Sequence, residues 1–151
     1  MDTQIIELVG RNRLISELLQ SGLEVALPLR DRGIDLIAYA DLNPHEGRFI
    51  ARPIQMKAAS KTSFSIERKY EKFQDLILAY IWELDNPDKT VSYALTYSEA
   101  IRVGEEMGYT ATDSWVKKGK YANTRPGRRL CNLLEPHRMT LQRWRQKVIS
   151  K

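Results

Sequence analysis

Apolar positions recur every three or four residues from Thr3 to Gln20 (Ile5, Ile6, Leu8, Val9, Leu14, Ile15, Leu18, Leu19). That spacing predicts one helix with a buried stripe, capped by Asp2 or Thr3 and ended by Gly22. The period then changes. LEVALPL at 23–29 reads as a strand, and Pro28 places it at an edge or bulge. RDRG at 30–33 is a turn, IDLIAYA at 34–40 a second strand, NPHEG at 43–47 a loop, and RFIARPIQMKAA at 48–59 a third strand. Residues 60–67 are polar, with a short strand at 63–66, and 68–73 suit a helical turn. The run 75–84 fits helix or strand by periodicity alone. The turn signal DNPDK at 85–89 and the strand pattern TVSYALTY at 90–97 favour a β-hairpin. Helices are predicted from Ser98 to Met107, from Arg128 to Leu134 and from Thr140, as N-cap, to Ile149. The expected fold is α/β (α+β), a mixed β-sheet flanked by helices.

With 151 residues, 42% hydrophobic and 28% charged, the chain suits a single globular domain. No apolar run reaches the roughly 20 residues of a membrane span. The start MDTQIIELVGRNR lacks a basic stretch leading into an apolar one, so the expectation is a cytoplasmic, nucleoid-associated protein that is not secreted. One cysteine excludes an internal disulfide and a zinc site built on cysteine pairs, and two distant histidines make a poor histidine-based metal site.

Charge divides the chain unevenly. From Lys117 to Lys151 eleven basic residues stand against one acid, Glu135, a net of +10. The whole chain is +5, so the first 116 residues carry −5. A catalytic core over about 3–97 and a basic helical region over about 98–151 follow from that division. The basic region suits a polyanion, and Lys117, Lys118, Lys120, Arg125, Arg128, Arg129, Arg143 and Arg145 are the candidate DNA contacts. Trp115, Tyr121 and Trp144 lie among them, as packing residues or as sugar and base contacts.

The candidate chemistry lies between positions 35 and 57. Alternation sets Asp35, Ile37 and Tyr39 on one face of the second strand, and Gln55 and Lys57 on one face of the third. A hairpin centred on His45 pairs positions whose numbers total 90, which brings Asp35 across from Gln55 with Lys57 two residues on. A carboxylate, an amide oxygen and the Met56 carbonyl are hard oxygen donors suited to Mg²⁺ or Mn²⁺. A neighbouring ammonium can orient water and offset charge at an attacking oxygen. Glu7, on the first helix, is the better additional acid; Glu17 points to a different side. The plainer alternatives are a strand-start Asp35, an edge-strand Lys57, a solvated Glu7, an Asp31 that only caps its turn, a packing Tyr39 and an exposed, inert His45.

These motifs, Gly33-Ile-Asp35-Leu-Ile and Ile54-Gln55-Met-Lys57 after a helix with an acid, resemble the PD-(D/E)XK (restriction-endonuclease-like) nuclease superfamily. Within it, the chain is similar to the compact homing endonucleases of bacterial tRNA introns. Two features depart from the pattern: no proline precedes Asp35, and Gln55 stands where a second carboxylate is usual. The helix acid would fall nearer position 11, which is Arg11 here. The resemblance implies a Mg²⁺-dependent DNA endonuclease that hydrolyses phosphodiester bonds, a site-specific homing enzyme acting on double-stranded DNA. It implies Glu7, Asp35, Gln55 and Lys57 as catalytic residues. Two cuts per double-strand break imply a homodimer or homotetramer. The alternatives are a non-catalytic DNA-binding protein on a decayed nuclease scaffold and a Holliday-junction or repair nuclease.

Overall fold

A computed structural model describes residues 1–150 except Pro44 and Glu46, and only the backbone of Asn43. Helix α1 spans Thr3–Gln20, and the Asp2 carboxylate accepts from the Ile5 amide at its start. Strands β1 (Glu24–Ala26), β2 (Leu36–Asn43), β3 (Arg48–Ala58), β5 (Ile77–Trp82) and β6 (Val91–Thr96) form one sheet in the order β1-β2-β3-β5-β6. All neighbours are antiparallel except β3 and β5, so the sheet is mixed. A separate ribbon pairs β4 (Phe64–Glu67) with β7 (Lys120–Asn123). Helices α2 (Tyr97–Glu106), α3 (Arg128–Leu134) and α4 (Leu141–Ile149) complete the fold. The fold class is as expected, a mixed sheet flanked by helices.

The sheet separates two cores. On one face Leu36, Ala38, Ile54, Ile77 and Ala79 pack against Leu14 and Leu18 of α1 and Trp144 and Val148 of α4. On the other, Leu78, Tyr80, Tyr93 and Leu95 pack against β4, α2 and α3 through Phe64, Ile66, Ala100, Val103 and Leu130. Every residue of β5 is buried, because it is covered on both faces. This explains why its periodicity was ambiguous: a doubly covered strand loses the alternation that marks a half-buried one. Local signals held at α2, where Thr96 and Glu99 form a capping box and Gly108 follows at φ 79°. They held equally at α4, where Thr140 caps through the Arg143 amide.

Four expectations are corrected. The apolar stripe of α1 is not buried along its length: Ile5, Leu8, Val9 and Leu19 are exposed, and only Gly10, Leu14 and Leu18 are buried. Gly10, Leu14 and Leu18 form the line that meets the sheet, with Ile6 and Ile15 partly buried beside it. Trp115 and Trp144 are core residues rather than nucleic-acid contacts, each nearly covered by its own cluster. The strand expected over 23–29 shortens to three residues and ends before Pro28, which cannot donate to a ladder. Strand β7, where a helical region was expected, pairs with a segment more than fifty residues earlier. Among the described residues no helix is long and apolar enough to cross a membrane.

Candidate active site

The β2–β3 register is the one expected: Leu36 faces Ile54, Ile37 faces Pro53, Ala38 faces Arg52 and Tyr39 faces Ala51, with an irregularity beginning at Asp41. The loop centre includes Pro44 and Glu46, which lie outside the described residues; His45 is exposed. Tyr39 stacks against Phe49 at 5.4 Å, a packing role.

At Asp35 the ladder stops. The Asp35 amide donates to the Ile54 carbonyl at 2.9 Å, and its carboxylate accepts the Met56 amide at 2.7 Å. A side chain thus replaces the backbone acceptor that a longer β2 would have supplied. In an antiparallel ladder a residue directs its N–H and C=O to the same edge. The Met56 carbonyl therefore also faces the end of β2, where it accepts a long 3.5 Å contact from the Gln55 amide nitrogen. The Gln55 Oε1 is buried and has no hydrogen-bond partner among the described residues. Leaving such an acceptor unsatisfied is costly, on the order of 1–3 kcal/mol.

These groups line a cavity of about 820 Å³. Its walls are the first half of α1 (including Glu7 and Arg11), the Asp31–Asp35 segment, residues 55–60 of β3 and beyond, and Ser63 and Ser65 beside β4. Gly10 lets α1 come this close: a Cβ there would lie 2.9 Å from the Ala58 Cβ. The exposed first turns of α1 thus form one side of the cavity, which carries Glu7 into it. Glu17 is elsewhere, accepting from the Ser92 hydroxyl at 2.9 Å and the Trp144 indole at 3.3 Å. Asp31 does two things: its carboxylate accepts from the Gly33 amide in the turn, and it lines the same cavity.

Burial raises the Asp35 pKa; the Met56 hydrogen bond opposes this, and the nearby Asp31 and Glu7 carboxylates add to it. The site therefore disfavours its own negative charge. Burial likewise lowers the Lys57 pKa, against the stabilising Glu67 carboxylate. Lys57 shares the face of Tyr80, its partner in the parallel register. Its Nζ donates to the Tyr70 hydroxyl at 3.3 Å and lies 3.7 Å from Glu67 Oε2. Glu67 and Tyr70 were missed in the sequence: they come from β4 and the 3₁₀ turn Arg68–Lys72, and no spacing rule ties them to Lys57.

The candidate DNA contacts are divided by the fold. Lys120 faces Glu67 across the β4–β7 ribbon, on the side away from the buried Phe64 and Ile66, and so beside the cavity. Lys117, Lys118, Arg125, Arg128 and Arg129 are exposed on the same side of the sheet, although Arg129 also donates to the Glu106 carbonyl at 2.8 Å. Arg143 and Arg145 lie on α4, across the sheet. Arg143 donates to the Pro136 carbonyl, and Arg145 donates to the Gly22 carbonyl at 3.0 Å just past the end of α1.

Could the cavity hold Mg²⁺ or Mn²⁺? The Asp35 carboxylate, the partnerless Gln55 Oε1 and the Met56 carbonyl are all oxygen donors, the set such hard cations take. Among the described residues no three His, Cys, Asp or Glu side chains are grouped to hold a metal, so a cation here would depend on amide and backbone oxygens.

No family model matches the chain, and no curated protein does. Among solved structures, a bacterial homing endonuclease is similar, with a TM-score of 0.49 and 14% identity over 97% of this chain and 91% of that one. At that level the likeness says nothing about residue roles, which rest on the geometry above.

Proposed function

We propose that the protein is a divalent-cation-dependent DNA endonuclease that hydrolyses phosphodiester bonds at the cavity between α1 and β4. The observation that carries this reading is the end of the β2–β3 ladder. There a half-buried carboxylate, a buried amide oxygen without a partner and an ammonium line one cavity. Asp35, Gln55 and the Met56 carbonyl would hold Mg²⁺ or Mn²⁺, with Glu7 facing the same space. When bound, the cation supplies charge stabilisation at the scissile phosphate and acidifies water. Asp35 accepts the Met56 amide and so keeps its carboxylate oriented into the cavity. Lys57 offsets charge at the attacking oxygen and orients water. Lys120 and the other exposed cations on that side neutralise the phosphates of double-stranded DNA. One such cavity per chain makes one cut, so a double-strand break takes a homodimer or homotetramer.

Incubation of the protein with supercoiled plasmid and Mg²⁺ tests this. Nicking or linearisation that disappears in Asp35→Ala and Lys57→Ala supports the reading, and equal cutting by those variants overturns it. Salt-sensitive DNA binding without any cutting would instead favour a binding protein on a nuclease scaffold. A preference for a four-way junction over linear duplex would identify a junction nuclease rather than a site-specific homing enzyme.

A further inference from the structure

Lys57 does not stand alone in the cavity. Its ammonium donates to the Tyr70 hydroxyl at 3.3 Å, lies 5.1 Å from the centre of the Tyr70 ring and is 3.7 Å from Glu67 Oε2. Glu67 Oε2 also lies 3.3 Å from the Lys69 ammonium, which stands 5.2 Å from the same ring. One carboxylate is therefore shared by two lysines, with a buried tyrosine against both. The Glu67 side chain keeps 17% of its exposure and Lys57 23%, whereas Lys69 keeps 59%. Screening by water is thus weakest between Glu67 and Lys57, although the lone distance is shorter to Lys69.

The tertiary structure builds this arrangement from three places. Lys57 projects from β3 beside Tyr80, whose hydroxyl donates to the Ser65 carbonyl at 2.6 Å and so holds β4 over the sheet. Glu67 ends β4, and the next residue, Arg68, is pinned by a bond from its own amide to the Gly119 carbonyl at 2.8 Å. Tyr70, 3% exposed, fixes the 3₁₀ turn into the core. A flexible four-carbon lysine would otherwise sample many rotamers in an open cavity. Here its end is held by one acceptor, the Tyr70 hydroxyl, and by the ion pair with Glu67, and both residues are placed by packing.

We infer that Glu67 and Tyr70 are positioning residues for Lys57, fixing where its ammonium sits in the cavity. This rests on the nuclease reading of the cavity. Neither residue touches the groups that would hold the cation; both act through Lys57. The Tyr70 phenol is held protonated well above its ordinary range by burial and by Glu67, so its oxygen stays a neutral acceptor for the ammonium.

The test reads the surroundings of the Lys57 ammonium in the DNA-free protein at one fixed pH, by NMR of ¹³C-methylated lysines with the Lys57 signal assigned from Lys57→Gln. In wild type the Lys57 signal should stand apart from those of the exposed lysines, and Glu67→Gln and Tyr70→Phe should each move it toward them. In plasmid cleavage with Mg²⁺, Glu67→Gln should lower kcat about tenfold or more with little change in KM, and Glu67→Asp should restore part of the rate. Tyr70→Phe, which keeps the ring in the core, should lower kcat in the same way. A Lys57 signal unmoved by both Glu67→Gln and Tyr70→Phe overturns the inference. If wild type cuts no DNA, the nuclease reading fails by itself, and the NMR signal still decides whether Glu67 and Tyr70 hold Lys57.

Discussion

The Met56 amide donates to the Asp35 carboxylate at 2.7 Å, so the residue just before strand β2 also seals the edge of β3 where the cavity begins. Burial raises the Asp35 pKa in this position. For a group whose pKa is higher folded than unfolded, the associated stability is present below the unfolded value. It is lost as pH rises through the folded one. Asp35→Asn keeps an oxygen for the Met56 amide and removes the buried charge. At neutral pH its melting temperature should equal or exceed that of wild type, while DNA cleavage falls by at least about a hundredfold. Thermal melts beside plasmid cleavage check both halves. A variant that loses stability and activity together would show a structural carboxylate instead.

Glu17 makes an independent case on the other face of the sheet. Burial raises its pKa against hydrogen bonds from Ser92 and Trp144 and the charge of Arg13. The same sign holds: its stabilising contribution is present in acid and is lost as pH rises through its folded pKa. Between about pH 4 and pH 7, Glu17→Gln should therefore gain stability relative to wild type. Denaturation midpoints across that range check it. Parallel curves for the two proteins would contradict the burial described here.

Gly10 sets how closely α1 approaches β3. A Cβ would come within 2.9 Å of the Ala58 Cβ and 3.2 Å of Leu84 Cδ1, and the first of these cannot rotate away. Overpacking of this kind costs about 1–3 kcal/mol, against a helix-propensity gain of up to about 1 kcal/mol. Gly10→Ala should be net destabilising in urea titrations. Because the displaced half of α1 carries Glu7, DNA cleavage should fall as well.

The basic residues should separate into two classes. Lys120 is exposed beside Glu67 at the cavity, so Lys120→Ala should weaken DNA binding and reduce the salt slope by about one, with unchanged stability. Arg145 is tied to the Gly22 carbonyl across the sheet, so Arg145→Ala should cost about 1 kcal/mol of stability with a smaller effect on binding. Fluorescence anisotropy at several salt concentrations, alongside melts, distinguishes the two.

Much of the site was legible because its parts are close in the chain. A hairpin register depends on one turn centre, and alternation then assigns every side chain to a face. Asp35, Gln55 and Lys57 could be grouped on that basis, and the observed pairing of Leu36 with Ile54 follows the same register. Two helix starts were legible for a similar reason: Asp2 and Thr140 act on amides within three residues.

Long-range packing accounts for the remainder. Arg52 lies on the apolar face of β3, only 4% exposed. It donates to the Asp75 carbonyl at 2.8 Å and the Ser150 carbonyl at 2.9 Å, which joins the sheet to the end of α4. Alternation marks its position as buried but does not supply the acceptors that make burial of a guanidinium tolerable. In the same way, the cations after Lys117 form one cluster in the chain, and the return of α4 beneath the sheet places Arg143 and Arg145 apart from Lys120. The amino-acid order by itself determined the local elements and the face on which Asp35, Gln55 and Lys57 lie, because both follow from periods of two and 3.6 residues. Only the tertiary structure decided that Glu67 and Tyr70 meet Lys57, because contacts between β4 and β3 depend on how the cores on the two sides of the sheet fill.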